Sequence, residues 1–233
     1  PLNSIIGFTQ LLAGSAALPQ AERRHVDLVA MSSRSLLTVV NDILDFSTLD
    51  EGRIRLEQRP FSVGETICRC VDSLTLQADA KNLRLETRLD ETLAPYLVGD
   101  DTRLTQILLN LIGNAVKFTD QGSVAISVHT LPSVRDYQAF RITVRDTGIG
   151  IPRDRLDQLF VRVSQIDSSI NRRFGGSGLG LAITKGLVDL MKGQIGVESL
   201  LGEGTTFWVE LNLPIARSTE IPRPLGDAPP AVV

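Results

Sequence analysis

The sequence predicts an α-helical hairpin, half of a dimeric four-helix bundle, followed by an α+β two-layer sandwich. Three observations predict it. Val26, Val29, Ser33, Leu36, Val40, Ile43 and Ser47 recur at alternating spacings of three and four, the seam of a coiled coil. Beyond Glu51-Gly52 the composition changes, and short strand patterns interleave with helical ones. Late in the chain a glycine-rich stretch, Arg172 to Leu181 (RRFGGSGLGL), feeds an apolar run, Leu179 to Met191, that reads as a helix.

In order, Pro1 to Ala13 opens as a helix, since proline is tolerated in a first turn, and Leu2, Ile5, Thr9 and Leu12 fall at heptad spacing. Gly14 to Gln20 reads as a turn. Ala21 to Asp50 is one long helix, and Leu37 and Leu44 widen its seam beyond what a lone two-stranded coil needs. Two helices cannot close a four-helix core, so a homodimer through this hairpin is expected. Ile54 to Phe61 reads as a strand. Ser62 and Glu65 form a capping box that opens a helix to about Lys81. Leu83 to Leu89 alternates as a half-buried strand, and Tyr96 to Gly99 is a short one. Asp101 to Thr119 is a helix with Leu104, Ile107, Leu108, Leu111 and Ala115 inward. Ser123 to Thr130 and Phe140 to Arg145 are strands around a polar loop, Leu131 to Gln138. Pro152 to Phe160 is a short helix, followed by a lid-like segment to Gly178. Gly193 to Ser199 and Thr205 to Leu213 form a hairpin about Leu201-Gly202-Glu203-Gly204. The expected domains are thus 1-52, 53-214 and a proline-rich tail or linker, 215-233.

The chain has 233 residues, 42% hydrophobic and 22% charged, enough for a real core. A net charge of −3 and no basic stripe argue against nucleic acid as a partner. No apolar run is long enough to span a membrane, and no signal peptide opens the chain. Cys68 and Cys70 lie two apart on a helix, facing different sides, which disfavours a disulfide or a metal site. These features suit a cytoplasmic module without membrane contact. Pro1 stands inside a helical pattern without an initiating Met, so a fragment of a longer protein is expected.

Three places carry chemistry. Gly175, Gly176, Gly178 and Gly180 let backbone N–H groups curl inward ahead of a helix N-terminus, an anion site to which Arg172 and Arg173 add charge. The pattern is GxGxG with no strand before it, unlike a dinucleotide fold; the bland alternative is a flexible loop. Asn110, Asn114 and Lys117 share one helix face at i, i+4 and i+7. Two amides and an amine there suit a hydrated Mg²⁺ and a phosphate chain, with an ordinary polar face as the alternative. Asp146-Thr147-Gly148-Ile149-Gly150 follows a strand. An Asp there can accept a hydrogen bond from an exocyclic amine while bare backbone meets a flat ring, or it can simply cap a glycine turn. Thr205, in the hairpin turn, could face the same ring.

These pieces, in this order, resemble the catalytic domain of sensor histidine kinases, of the Bergerat-type ATPase fold shared with type II topoisomerases, heat-shock chaperone ATPases and mismatch-repair proteins. Asn110-x-x-x-Asn114-Ala115-x-Lys117-Phe118 is similar to the N box. Asp146-x-Gly148-x-Gly150 is similar to the first glycine box, Gly176-Ser177-Gly178-Leu179-Gly180-Leu181 to the second, and Gly202 to Thr205 to the third. Pro1-Leu2-Asn3-Ser4-Ile5-Ile6-Gly7 resembles the end of the H box of the dimerisation and phosphotransfer domain.

The resemblance implies that the chain binds ATP. Asp146 would take the adenine amino group, with Thr205 helping through water and Ile149 within the same box. Asn114 with Asn110 would hold Mg²⁺, Lys117 would meet the phosphates, and Phe118 would pack near sugar or base. Arg172 or Arg173 would steady the γ-phosphate, so Asn110, Lys117, Arg172 and Arg173 are the implied catalytic set. The γ-phosphoryl would pass to a His on the hairpin and then to an Asp on a response-regulator receiver domain. The module would be cytoplasmic, in a protein of the inner-membrane sensor kind. Two departures stand out. The accepting His of the H box falls before Pro1, and His25 and His129 read as a solvated helix residue and a strand residue. In the F box, Phe160-Val161-Arg162-Val163-Ser164, Val163 replaces a frequent aromatic. The alternatives are an ATP-hydrolysing conformational machine of the same fold, which would put a Glu where Asn110 stands, and a non-catalytic dimerisation scaffold.

Overall fold

A computed structural model describes residues 2–14, 18–160 and 178–217. The chain divides into two compact units, one of residues 1–54 with 157–183 and one of 55–156 with 184–233.

In the first unit, α1 (Leu2–Ala13) and α2 (Gln20–Asp50) pack as a hairpin. Its buried residues are small, Thr9, Ala30 and Ser33, and the Thr9 hydroxyl donates back to Ile5 and Ile6 carbonyls. Most of the apolar seam is exposed, at Val29, Leu36, Val40, Ile43 and Leu44, as are Phe8 and Leu11 on α1. An exposed apolar row of this length is what half of a bundle presents.

The second unit is a sheet with helices on one face. Ser62 accepts from Glu65 N and starts α3 (Val63–Asp79); Asp100 accepts from Arg103 N and starts α4 (Asp101–Phe118). The five strands run β2 (Arg84–Arg88), β4 (Ser123–Leu131), β5 (Tyr137–Asp146), β7 (Gly204–Pro214), β6 (Gln194–Leu200) across the sheet. Only the β2–β4 pair is parallel. Alternation along each strand sends Val124, Ile126, Val128, Phe140, Ile142, Val144, Phe207, Val209 and Leu211 to the buried face. There α4 packs on β4 and β5, and α3 packs on α4 and β2. The opposite face is polar: Arg141 bonds Glu210 and lies 4.7 Å over Trp208. The two-layer sandwich is the one the sequence predicts.

The differences are local. The expected strand Ile54 to Phe61 shrinks to β1 (Arg59–Phe61), paired antiparallel with β3 (Leu97–Gly99). Its partner ends where α4 begins, and Glu57 N donates to the Asp100 carboxylate at 3.0 Å instead of to a strand. The expected loop Leu131 to Gln138 shortens, because β7 is long enough to pair Tyr137 with Pro214. Gln138 then anchors the neighbouring loop, accepting from Ala94 N and donating to the Thr92 carbonyl. The expected helix Pro152 to Phe160 is a single turn, α5 (Arg153–Leu156). Order continues past Pro214: Ile215 bridges Leu97, and Ala216 N donates to the Tyr96 carbonyl at 3.1 Å. The remaining tail from 218 lies outside the described residues.

One side chain fixes the end of α4. Lys81 Nζ reaches the carbonyls of Val116, Lys117 and Thr119 at 2.8, 2.8 and 3.0 Å, spending all three protons on groups a helix C-terminus leaves unpaired. Lys81→Met keeps the stem and removes the cap. It is expected to lower stability by about 1–3 kcal/mol in denaturant unfolding, the scale of half-buried polar groups left unpaired; an unchanged midpoint would remove the cap from the account.

Candidate functional site

Helix α4 sorts its residues by face. Leu104, Ile107, Leu108, Leu111, Ile112, Ala115 and Val116 are buried, while Asn110, Asn114, Lys117 and Phe118 form a half-buried strip beside them. Asn110 Nδ2 donates to Thr184 Oγ1 at 2.7 Å, and Asn110 Oδ1 accepts from Asn114 Nδ2 at 3.4 Å. Both ends of the Asn110 amide are thus engaged, whereas Asn114 Oδ1 receives no donor from any described residue. Lys117 Nζ lies 4.9 Å from the Phe118 ring, and burial holds its pKa below the usual lysine range. A half-desolvated ammonium gains more from an arriving phosphate than one in bulk water.

Asp146 ends β5 and is buried. Its Oδ1 accepts from Gly148 N at 2.8 Å and Thr205 N at 3.2 Å; Oδ2 receives no donor from any described residue. Burial pushes its pKa above the ordinary carboxyl value, and the two backbone bonds oppose that. Gly148 needs to be glycine: a Cβ would stand 2.5 Å from the Phe118 carbonyl oxygen and 2.9 Å from Thr119 Oγ1. That close approach joins the turn to the end of α4, and Ile149 N donates to the same Phe118 carbonyl at 3.3 Å. Gly150 is buried with φ +67°, while the Ile149 side chain is exposed. The Ile149 carbonyl accepts from Gly202 N at 2.8 Å, so the β6–β7 hairpin is tied in as well. Thr205, buried, pairs with Asp146 in the β5–β7 ladder.

The fold therefore brings together Asn110, Asn114, Lys117, Phe118, Asp146, Gly148, Ile149, Gly150 and Thr205 within the second unit. Gly178 is exposed with φ +72°, and Leu179 leads into α6 (Gly180–Leu190), with Gly180 and Leu181 in its first turn. Arg172, Arg173, Gly176, Ser177 and Val163 lie outside the described residues. His25 is exposed on α2, as expected, and His129 stands on β4, the strand residue it reads as. Three residues escape the sequence reading. Thr184, which holds Asn110, is 1% exposed and had a signal, being a hydroxyl inside an apolar helical run. Lys81 and Ser199, whose hydroxyl lies 2.9 Å from Thr205 Oγ1, had none.

The donor set defines what the site can hold. Among the described residues no three His, Cys, Asp or Glu side chains gather to bind a metal. Neutral amide oxygens do not hold a divalent cation alone, but they complete the shell of one that arrives with phosphate oxygens. The ionised Asp146 carboxylate, in contrast, can only accept hydrogen bonds.

This combination is that of a nucleotide-binding kinase or ATPase domain. The chain belongs to the histidine kinase-, DNA gyrase B-, and HSP90-like ATPase family, whose profile matches residues 99–215. The His Kinase A (phospho-acceptor) domain matches residues 1–52. The chain is 40% identical over 226 residues to the sensor histidine kinase GacS of Pseudomonas protegens, covering 96% of this chain and 24% of GacS. It is 41% identical over 227 residues to the hybrid signal transduction protein dokA of Dictyostelium discoideum, covering 95% of this chain and 14% of dokA. The chain thus spans a quarter or less of these curated relatives. Among solved structures, full-length ShkA in complex with AMPPNP matches with a TM-score of 0.75 and 32% identity, over 94% of this chain and 44% of that one. The expected family and fold are borne out. Among the described residues no helix is long and apolar enough to cross a membrane.

Proposed function

We propose that this chain binds ATP with Mg²⁺ and transfers the γ-phosphoryl group to a His on a dimeric helical hairpin, from which it passes to an Asp of a response-regulator receiver domain. The observation that carries the reading is Asp146: a buried carboxylate with one oxygen locked by two backbone donors and the other without a donor among the described residues. An adenine amino group supplies the donor this oxygen lacks. Asn114 Oδ1 would hold the cation, with Asn110 fixing Asn114 and itself fixed by Thr184. Mg²⁺ would neutralise charge on the phosphates. Lys117 would add a cation to them, and Phe118 would flank the sugar or base. Arg172, Arg173 and the glycine-rich segment Gly176 to Leu181 are given to the phosphate chain by resemblance alone. The work of the site is positioning and charge stabilisation.

An ATP-hydrolysing machine needs a base to activate water. Asn110 cannot accept that proton, and both ends of its amide are engaged. The two readings separate when the chain is mixed with γ-labelled ATP, Mg²⁺ and a separate hairpin carrying an intact H box. Acid-labile label on the hairpin supports transfer to His. Rapid steady phosphate release with an unlabelled hairpin would overturn it. ATP and a receiver domain as partners would put the module in the cytoplasm.

The exposed apolar seam on α2 supports a homodimer through the hairpin. Leu36→Glu with Ile43→Glu puts four charges into the proposed dimer core. Dimerisation is expected to weaken by at least about 100-fold, the scale of about 3 kcal/mol for an uncompensated buried charge. Light scattering across a dilution series reads it, and an unchanged dimer would move the interface elsewhere.

A further inference from the structure

Ser199 is half-buried near the end of β6, and its Oγ has three neighbours: Ile151 N at 2.8 Å, the Gly204 carbonyl at 2.8 Å and Thr205 Oγ1 at 2.9 Å. A serine hydroxyl carries one proton and two lone pairs. Ile151 N–H can only donate and the Gly204 carbonyl can only accept. Ser199 therefore accepts from Ile151, gives its proton to Gly204 and has one lone pair left. All three contacts are hydrogen bonds in a single arrangement, the one in which the Thr205 hydroxyl donates to Ser199. Thr205 Oγ1 then has lone pairs only for anything else. Beside it, Asp146 Oδ1 takes Gly148 N and Thr205 N, and Oδ2 is a bare acceptor among the described residues.

We infer that Ser199 is a specificity-determining residue that acts through Thr205. By fixing the threonine hydroxyl as an acceptor, it makes the wall around Asp146 acceptor-only, which favours a 6-amino purine and disfavours a 6-oxo purine. Ser199 itself touches no base. A 6-oxo group there would set an acceptor against acceptors, with no hydroxyl able to turn toward it. The inference rests on the ATP reading above and adds a residue that sets the polarity of its base contact.

The test is calorimetric binding of ADP and IDP, each with Mg²⁺, to the whole chain. The wild type is expected to prefer ADP. Ser199→Ala frees the Thr205 hydroxyl to rotate and donate, and the ADP-to-IDP affinity ratio is expected to fall about five- to tenfold, the loss of one oriented hydrogen bond. Ser199→Thr restores the hydroxyl and is expected to keep the ratio. Thr205→Val lowers it too, and adding Ser199→Ala to Thr205→Val is expected to change it no further, the non-additivity of two residues on one path. If alanine unfolds the hairpin, Ser199→Cys, with a weak donor and acceptor, is read the same way. A ratio unchanged in Ser199→Ala, equal weakening of both nucleotides, or independent effects in the double variant would each overturn the inference and leave the ATP reading standing. A wild type that binds neither nucleotide, or both alike, would overturn the ATP reading and the inference with it.

Discussion

Gly204→Ala is expected to abolish nucleotide binding and to cost about 3–5 kcal/mol of stability, combining backbone strain with a clash that has nowhere to relax. Gly204 sits at φ +119°, and a Cβ built there stands 2.1 Å from the Asp146 carbonyl oxygen and 2.9 Å from Thr147 Cα. Both are backbone atoms, so no rotamer relieves the contact. The strand ends must part where Asp146 pairs with Thr205, and the bond from Thr205 N to Asp146 Oδ1 is lost with them. Gly202 supplies the control. Its φ is +86°, but among the described residues nothing lies within 4 Å of its added Cβ. Gly202→Ala should therefore cost about 1 kcal/mol, the strain alone, and keep binding. Denaturant unfolding and calorimetry on the two variants read the contrast. Equal behaviour would mean that the close approach of Gly204 to Asp146 does not shape the site.

Asp146→Asn should leave the fold nearly unchanged and reverse what the site accepts. Gly148 N and Thr205 N still need an acceptor, so the asparagine oxygen takes the place of Oδ1 and its amide nitrogen takes the place of Oδ2. A donor then faces the adenine amino group. ATP binding is expected to weaken by about 1–3 kcal/mol, roughly 5- to 150-fold, while a 6-oxo nucleotide loses less or gains. Unchanged ATP affinity would remove Asp146 from the base contact. The pH dependence follows from the same carboxyl. Burial raises its pKa above the ordinary carboxyl value, and the ionised form is the acceptor. Wild-type affinity should therefore fall on acidification at a higher pH than an ordinary carboxyl would give, and Asp146→Asn should lack that step. For the fold the sign is opposite. Between the ordinary carboxyl value and the raised one the native chain holds more protons than the unfolded one, so this group's contribution to stability is present at low pH and is lost as pH rises through the window.

What the sequence made legible were the features written in local chemistry. The period of α2, the cap at Ser62 and the strand runs of β4 and β5 each need only neighbouring residues to read. The clustering of Asn110, Asn114 and Lys117 follows from helical spacing, and Asp146 from its place between a strand and two glycines. What stayed hidden depends on contacts distant in sequence. The shortening of the Ile54 to Phe61 strand is decided by Asp100, which takes Glu57 N. The lengthening of β5 is decided by β7, more than sixty residues later. Lys81 reads as an ordinary surface lysine until α4 ends against it. Ser199 and Thr184 are small hydroxyls whose roles exist only when a second element supplies the partner.

Asp146, Thr205 and the polar strip of α4 are proposed to grip one purine triphosphate, and a crystal structure of the chain with AMPPNP and Mg²⁺ tests this most directly. Electron density is expected with the purine amino group against Asp146 Oδ2 and the cation against Asn114 Oδ1. Nucleotide bound with its base away from Asp146, or no nucleotide there at saturating concentration, would contradict it.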